Sequence, residues 1–243
     1  MHKLIYAIIH AKKESVCRLM NFDIGIQGIK GRELSAVSFN DIWAVVSDAE
    51  NKDSEMNNDY ALEFAAVTEE LSHMFTLLPM RFGSLLKSDA EILKVLEKNY
   101  DAIMNNLIKV EGKSEYGLKV FRNSSDIIPV PELAEVKQAE GNSVYKNYIL
   151  NKFNEYRADE TLLEYSEELK TEIAEHILGL NAVIKCNKVT GGNNVYNAVL
   201  LLEKEMTDNL TQTVIGIQSC HKELNMMLTG PWAPYNFVDI TLK

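Results

Sequence analysis

Tyr60-Ala61-Leu62-Glu63-Phe64-Ala65-Ala66-Val67-Thr68-Glu69-Glu70-Leu71-Ser72-His73-Met74 is followed, two residues on, by Leu77-Leu78-Pro79-Met80-Arg81-Phe82-Gly83. In the first stretch Tyr60, Phe64, Val67, Leu71 and Met74 recur at helical spacing and share one face. In the second, Pro79 interrupts the helix and the apolar residues read as extended chain. A helix that runs straight into a strand argues for a mixed α+β chain. Towards the N-terminus, Leu4 to Ile9 is an apolar run that reads as a buried strand. Ala36–Phe39 and Ile42–Val46 read as two strands joined at Asn40-Asp41, a turn signal. Gly25, Gly28 and Gly31, three residues apart, suggest a mobile loop, and the polar stretch 50–59 a solvated one. Towards the C-terminus, Ser88-Asp89-Ala90-Glu91 is a capping box, and Ile92, Leu96, Tyr100, Ile103 and Leu107 predict one helix after it. Glu115 to Phe121 reads as a strand.

The segment 122–131, with Pro129, Pro131 and Asn123-Ser124-Ser125-Asp126, reads as a hinge. Two amphipathic stretches follow, 142–156 and 160–180, with the spacing of a helical hairpin. Ala182–Cys186 and Val195–Leu202 then read as a hairpin across 190–194. Met206, Leu210, Val214, Ile217 and His221 outline a further helix, and Leu224–Leu228 a last strand. This order is close to a modified ferredoxin-like domain with its first strand displaced. The expected division is therefore an N-terminal α+β domain over 1–125 and a C-terminal ferredoxin-like domain over 126–243. The latter includes the helical pair and an extended Pro/aromatic tail.

Composition excludes several classes of function. The 243 residues carry 25 Lys+Arg against 35 Asp+Glu, a formal net charge of −10. That balance disfavours nucleic-acid binding, which needs clustered cations to neutralise phosphates. No apolar run is long enough to span a bilayer, so no membrane role is expected. Cys17, Cys186 and Cys220 are too few and too far apart for a disulfide framework or a zinc knuckle, which suits a reducing, cytoplasmic setting.

Catalytic signals are sparse. His2, His10, His73, His176 and His221 never fall at i, i+3 or i+4, so no ligand spacing is present. Gly191-Gly192 lacks the Lys-Ser/Thr of a phosphate loop, and strand follows it where a helix would be needed. No catalytic, cofactor-binding or metal residue is assigned, and no enzyme is expected. Two segments remain. Arg81 lies between apolar neighbours and must turn outward or meet an acceptor; a structural role joining the two halves is expected of it. Thr229-Gly230-Pro231-Trp232-Ala233-Pro234-Tyr235-Asn236-Phe237 sets two prolines among three aromatics. Its prolines forbid helix or central strand, so it reads as a stiff extended segment bracing the C-terminal half. Its rings either cover the protein's own core or form a binding surface.

Together these two segments resemble the gas vesicle protein F/L family. The residues that carry the resemblance are Pro79, Arg81, Phe82 and Gly83, then Thr229, Gly230, Pro231, Trp232, Pro234, Tyr235 and Phe237. Tyr6-Ala7-Ile8, the Gly25/Gly28 loop and Trp43-Ala44-Val45-Val46-Ser47 fit the same pattern, and Phe64 stands where members often carry His. The resemblance implies a non-enzymatic accessory protein that assists nucleation or assembly of the shell of a buoyancy organelle. Its implied partners are the major shell protein and other accessory proteins, and the motif residues are its implied structural or partner contacts. Two alternatives of other classes are a small-ligand-binding regulatory module of ferredoxin-like type and an enzyme using Arg81 as an anion anchor beside His73.

Overall fold

The structure is a computed structural model that describes residues 2–20, 25–50, 58–123, 167–189 and 193–238. The expected hinge beyond 123, the stretch 142–156, most of the loop 50–59 and the turn at 190–192 lie outside them. The described chain groups into two compact units. The first holds residues 1–116, 201–204 and 230–243, the second 117–200 and 205–229.

In the first unit β1 (His2–His10), β2 (Leu34–Phe39), β3 (Ile42–Ala49) and β4 (Thr76–Pro79) form an antiparallel sheet in the order β2-β3-β1-β4. The short β5 (Leu85–Leu86) pairs with β1 as well. Leu4 to Ile9 are all buried, which is why β1 reads as a continuous apolar run and not an alternating one. One face of β1 packs Leu4, Tyr6, Ala7 and Ile9 with Phe64, Val67 and Leu71 of α2 (Asn58–Met74). This is the stripe the helical spacing predicts. The β2–β3 turn carries Asn40 at a φ of 52°, a conformation asparagine tolerates.

The capping box opens α3 (Asp89–Lys98). The Ser88 hydroxyl accepts from Glu91 N at 3.3 Å, and the Glu91 carboxylate accepts from Lys87 N at 2.6 Å. The single helix expected over Ile92–Leu107 is instead two. Asn99 leaves helical geometry at φ −110°, and α4 (Tyr100–Val110) follows. The Asn99 side-chain amide donates to Val95 O at 2.7 Å, a local competition with the helix ladder that ends α3. Ile92, Leu96, Ile103 and Leu107 are nevertheless all buried. The glycine loop is tied to the first sheet. Ile29 is buried, and its N–H donates to the Tyr6 hydroxyl at 2.8 Å, which is itself 2.9 Å from Ser47 Oγ. From Gly28 onward the loop is thus hydrogen-bonded to the core.

The second sheet has the order β7-β8-β6-β9, from β6 (Lys113–Arg122), β7 (Val183–Cys186), β8 (Asn194–Glu203) and β9 (Leu224–Trp232). The strand read in the first half of the sequence thus belongs to the sheet of later strands, since its apolar pattern specifies a strand but not its neighbours. Residues 167–178 form α5, with Leu169, Ile173 and Ile177 buried, and α6 (Thr207–Cys220) buries Leu210, Val214 and Ile217. Both sheets are antiparallel, flanked by helices. Among the described residues they share one element order, strand-helix-strand-strand-helix-strand, and one strand order, second-third-first-fourth. In the first sheet α1 (Lys13–Met20) supplies the first helix.

Candidate functional site

The Leu78–Gly83 segment leaves the sheet edge and returns to it. Pro79 ends β4, Met80 N donates to Tyr6 O at 2.9 Å, and Ile5 N donates to Ser84 O at 3.0 Å. Between these two anchors the chain makes a turn closed by Ser84 N on Arg81 O at 3.1 Å. Gly83 takes the third position at a φ of 89°, the left-handed value that a type II turn demands of that residue. The turn separates its two neighbours. Phe82 packs edge-on against Phe64 at 5.6 Å, beside the Tyr6–Phe64 stack at 4.9 Å. Arg81 is exposed, so of its two expected environments it takes the outward one. Among the described residues no hydrogen bond or ion pair reaches its guanidinium, and the expected clamp between halves is not formed there.

The Gly230–Phe237 segment begins as the end of β9, an edge strand, where Pro231 can lack an N–H without breaking an interior ladder. Ala233, Pro234 and Phe237 are buried, Phe237 completely, whereas Trp232 is 46% and Tyr235 40% exposed. Both expected uses of the rings therefore occur, divided by residue. Glu115, only 5% exposed, grips the segment with both carboxylate oxygens. It accepts from Asn236 N at 2.7 Å and from Asn236 Nδ2 at 2.5 Å. Lys109 Nζ donates to Phe237 O at 2.9 Å. All these groups belong to the first unit, so the segment braces the unit built on residues 1–116 rather than the C-terminal half. Tyr235 is partly exposed, yet its hydroxyl is hydrogen-bonded to Thr68. Burial, with the Glu115 carboxylate nearby, raises its pKa above the ordinary phenol value.

The two segments, some 150 residues apart in sequence, line one cleft of about 750 Å³ in the first unit. Its apolar wall includes Ile8, Leu78, Met80, Leu86, Val95 and Val238, and its polar groups are Arg81, Ser84, Glu91, Tyr235 and Asn236. Of the motif residues named from the sequence, Pro79, Arg81 and Tyr235 line it. Phe82, Gly83, Gly230, Pro231, Trp232, Pro234 and Phe237 do not, and Thr229 lies in the second unit with its hydroxyl on Gly117 O at 3.3 Å. Val95 and Glu115 escaped the sequence reading. Val95 sits off the buried stripe of α3, and Glu115 was absorbed into a strand pattern, although a carboxylate opening an apolar strand was a usable signal.

A family model, "Gas vesicle synthesis protein GvpL/GvpF", matches residues 3–239. The chain belongs to the GvpL/GvpF family of gas vesicle proteins. It is 25% identical over 224 residues to gas vesicle protein F1 of Halobacterium salinarum, covering 90% of this chain and 88% of the relative. It is also 25% identical over 191 residues to gas vesicle protein L of a Streptomyces species, covering 75% and 70%. Its fold matches the crystal structure of the gas vesicle protein GvpF from an Anabaena species with a TM-score of 0.77. That match has 18% identity and covers 99% of this chain and 97% of the other. In this GvpL/GvpF member the cleft lining contains no histidine, and His73 is exposed at the end of α2, so the pairing of Arg81 with His73 is not assembled there. Among the described residues no group of three or more His, Cys, Asp or Glu could hold a metal ion. No helix among them is long and apolar enough to cross a membrane.

One histidine does have a built environment. His221, in the second unit, has Nε2 3.1 Å from both Glu172 oxygens on α5 and Nδ1 3.1 Å from Glu223. Burial opposes its charge. The hydrogen bonds to Glu172 and Glu223 outweigh that and raise its pKa above 6.5. A raised folded pKa adds stability in full below the unfolded value, and that contribution is lost as pH rises through the folded value. Urea unfolding of the native chain is therefore expected to weaken from pH 6 to pH 9 more than that of His221→Gln. Parallel pH profiles for the two proteins would refute this.

Proposed function

We propose that this gas vesicle family member assists nucleation or assembly of the vesicle shell from the cytoplasm. It acts by contact with the major shell protein and other accessory proteins, and not as an enzyme. The observation that carries the reading is the meeting of two sequence-distant segments around one cleft with apolar and polar walls. Such a surface suits a protein client, with the partly exposed Tyr235 in its lining as an aromatic residue of the kind that interfaces favour. A net charge of −10 favours solubility while an apolar client is held. We also read the second unit as ferredoxin-like, a reading supported by its strand-helix-strand-strand-helix-strand order.

The test is co-expression of the tagged chain with the gas vesicle major shell protein, followed by affinity capture and mass spectrometry. Shell protein retained in a soluble complex is the expected result. Capture of neither shell protein nor any accessory protein would refute the proposal, and a metabolite screen by thermal shift would then take its place.

A further inference from the structure

Every polar group of the cleft but one is already committed. Ser84 Oγ donates to Arg81 O at 2.7 Å, Glu91 completes the cap of α3, and Asn236 is bonded to Glu115. The Tyr235 hydroxyl is turned to Thr68. Arg81 is the one cationic side chain of the lining and has no partner among the described residues, on an apolar wall of Leu78, Met80, Leu86 and Val95; the other ionic group there, Glu91, is engaged by Lys87 N. A guanidinium beside apolar surface forms strong, paired hydrogen bonds with a carboxylate, and such pairs strengthen once water is displaced.

We propose that the cleft takes an apolar segment of a client protein that carries a single carboxylate, with Arg81 as its counter-ion. This rests on the client-binding reading above. The charge of the chain narrows the occupant further. With 35 acidic residues against 25 basic ones, a polyacidic stretch is repelled, whereas one Asp or Glu among apolar residues meets Arg81 at short range. A cleft of about 750 Å³ is within the size range of ligand pockets. Its exposed Arg81 and half-exposed Tyr235 leave it open on one side. That shape suits a segment still attached to a larger protein better than a free amphiphile, which needs enclosure.

The probe is a set of overlapping peptides spanning the major shell protein, each acidic peptide made also with Gln or Asn in place of Glu or Asp. Binding to the full chain is read by fluorescence anisotropy. Arg81→Glu and Val95→Trp serve as variants, each first shown to melt like the native protein. For the bound peptide, the acid-to-amide change or Arg81→Glu is expected to weaken binding at least tenfold, and Val95→Trp to block it. An acid-to-Lys peptide is expected to recover binding on Arg81→Glu. Equal binding of acid and amide peptides, or native-like binding by both variants, would overturn the proposal. Full-length shell protein captured equally by the native chain and both variants overturns the cleft while leaving the client reading standing. If the native chain captures accessory proteins but no shell protein, the cleft inference falls while the client reading stands; if it captures neither, both fall.

Discussion

Phe237→Ala is expected to cost this protein about 3–5 kcal/mol, the range for emptying a fully buried phenylalanine site. The ring is 0% exposed, and domains of this kind are held by only about 5–15 kcal/mol in all. The cost falls on the first unit, because Phe237 follows Asn236, whose two bonds satisfy the buried Glu115 carboxylate. Loss of the ring frees the segment, and a freed segment gives up the two Asn236 hydrogen bonds to that buried carboxylate. Trp232→Ala provides the internal contrast. Trp232 is larger but 46% exposed, so its truncation is expected to cost much less. Urea denaturation of both variants separates the cases, and a Trp232 loss equal to or greater than that of Phe237 would contradict the burial assignment.

Gly230→Ala is the second large effect. The residue sits at φ 115°, outside the range that L side chains adopt readily. A Cβ there would lie 2.8 Å from the Glu115 carbonyl oxygen, 3.1 Å from Tyr116 Cδ1 and 3.3 Å from Trp232 Cδ1. The closest of these is backbone and cannot swing away, and Tyr116 is only 2% exposed. Backbone strain and overpacking each cost about 1–3 kcal/mol, so a combined loss on the order of 3 kcal/mol is expected. A urea midpoint indistinguishable from the native protein would show that the local backbone relaxes more freely than this geometry allows.

Local pattern made much of the fold legible. The apolar run of β1, the Asn40-Asp41 turn, the stripe of α2 and the Ser88–Glu91 cap each depend on neighbours within a few residues, where period and capping chemistry act. The break at Asn99 was hidden because the buried stripe continues through it. The destination of β6 and the anchoring of Gly230–Phe237 were hidden for another reason. A strand's partners and a tail's dock depend on residues a hundred positions away, such as Glu115 for Asn236. The candidate site was half legible. Arg81 stood out because a cation among apolar residues must be explained. The other wall of its cleft, Val95 on α3, resembled ordinary helix surface until the fold placed it.

The membership of the first unit has a consequence for biosynthesis. Residues 1–116 leave the ribosome long before 230–238, yet Ala233 is part of the same core as β1 and α2, and Phe237 is buried with that unit. An N-terminal domain commonly finishes folding while the rest is still being made, whereas the first unit here gains its last packed residues, Ala233 and Phe237, more than a hundred residues later. The core beside its first sheet is completed only when residues 233–237 have been translated. The cleft, whose lining draws on Tyr235, Asn236 and Val238, is complete only once those residues have been made, so a nascent chain that stops short of them lacks part of its wall.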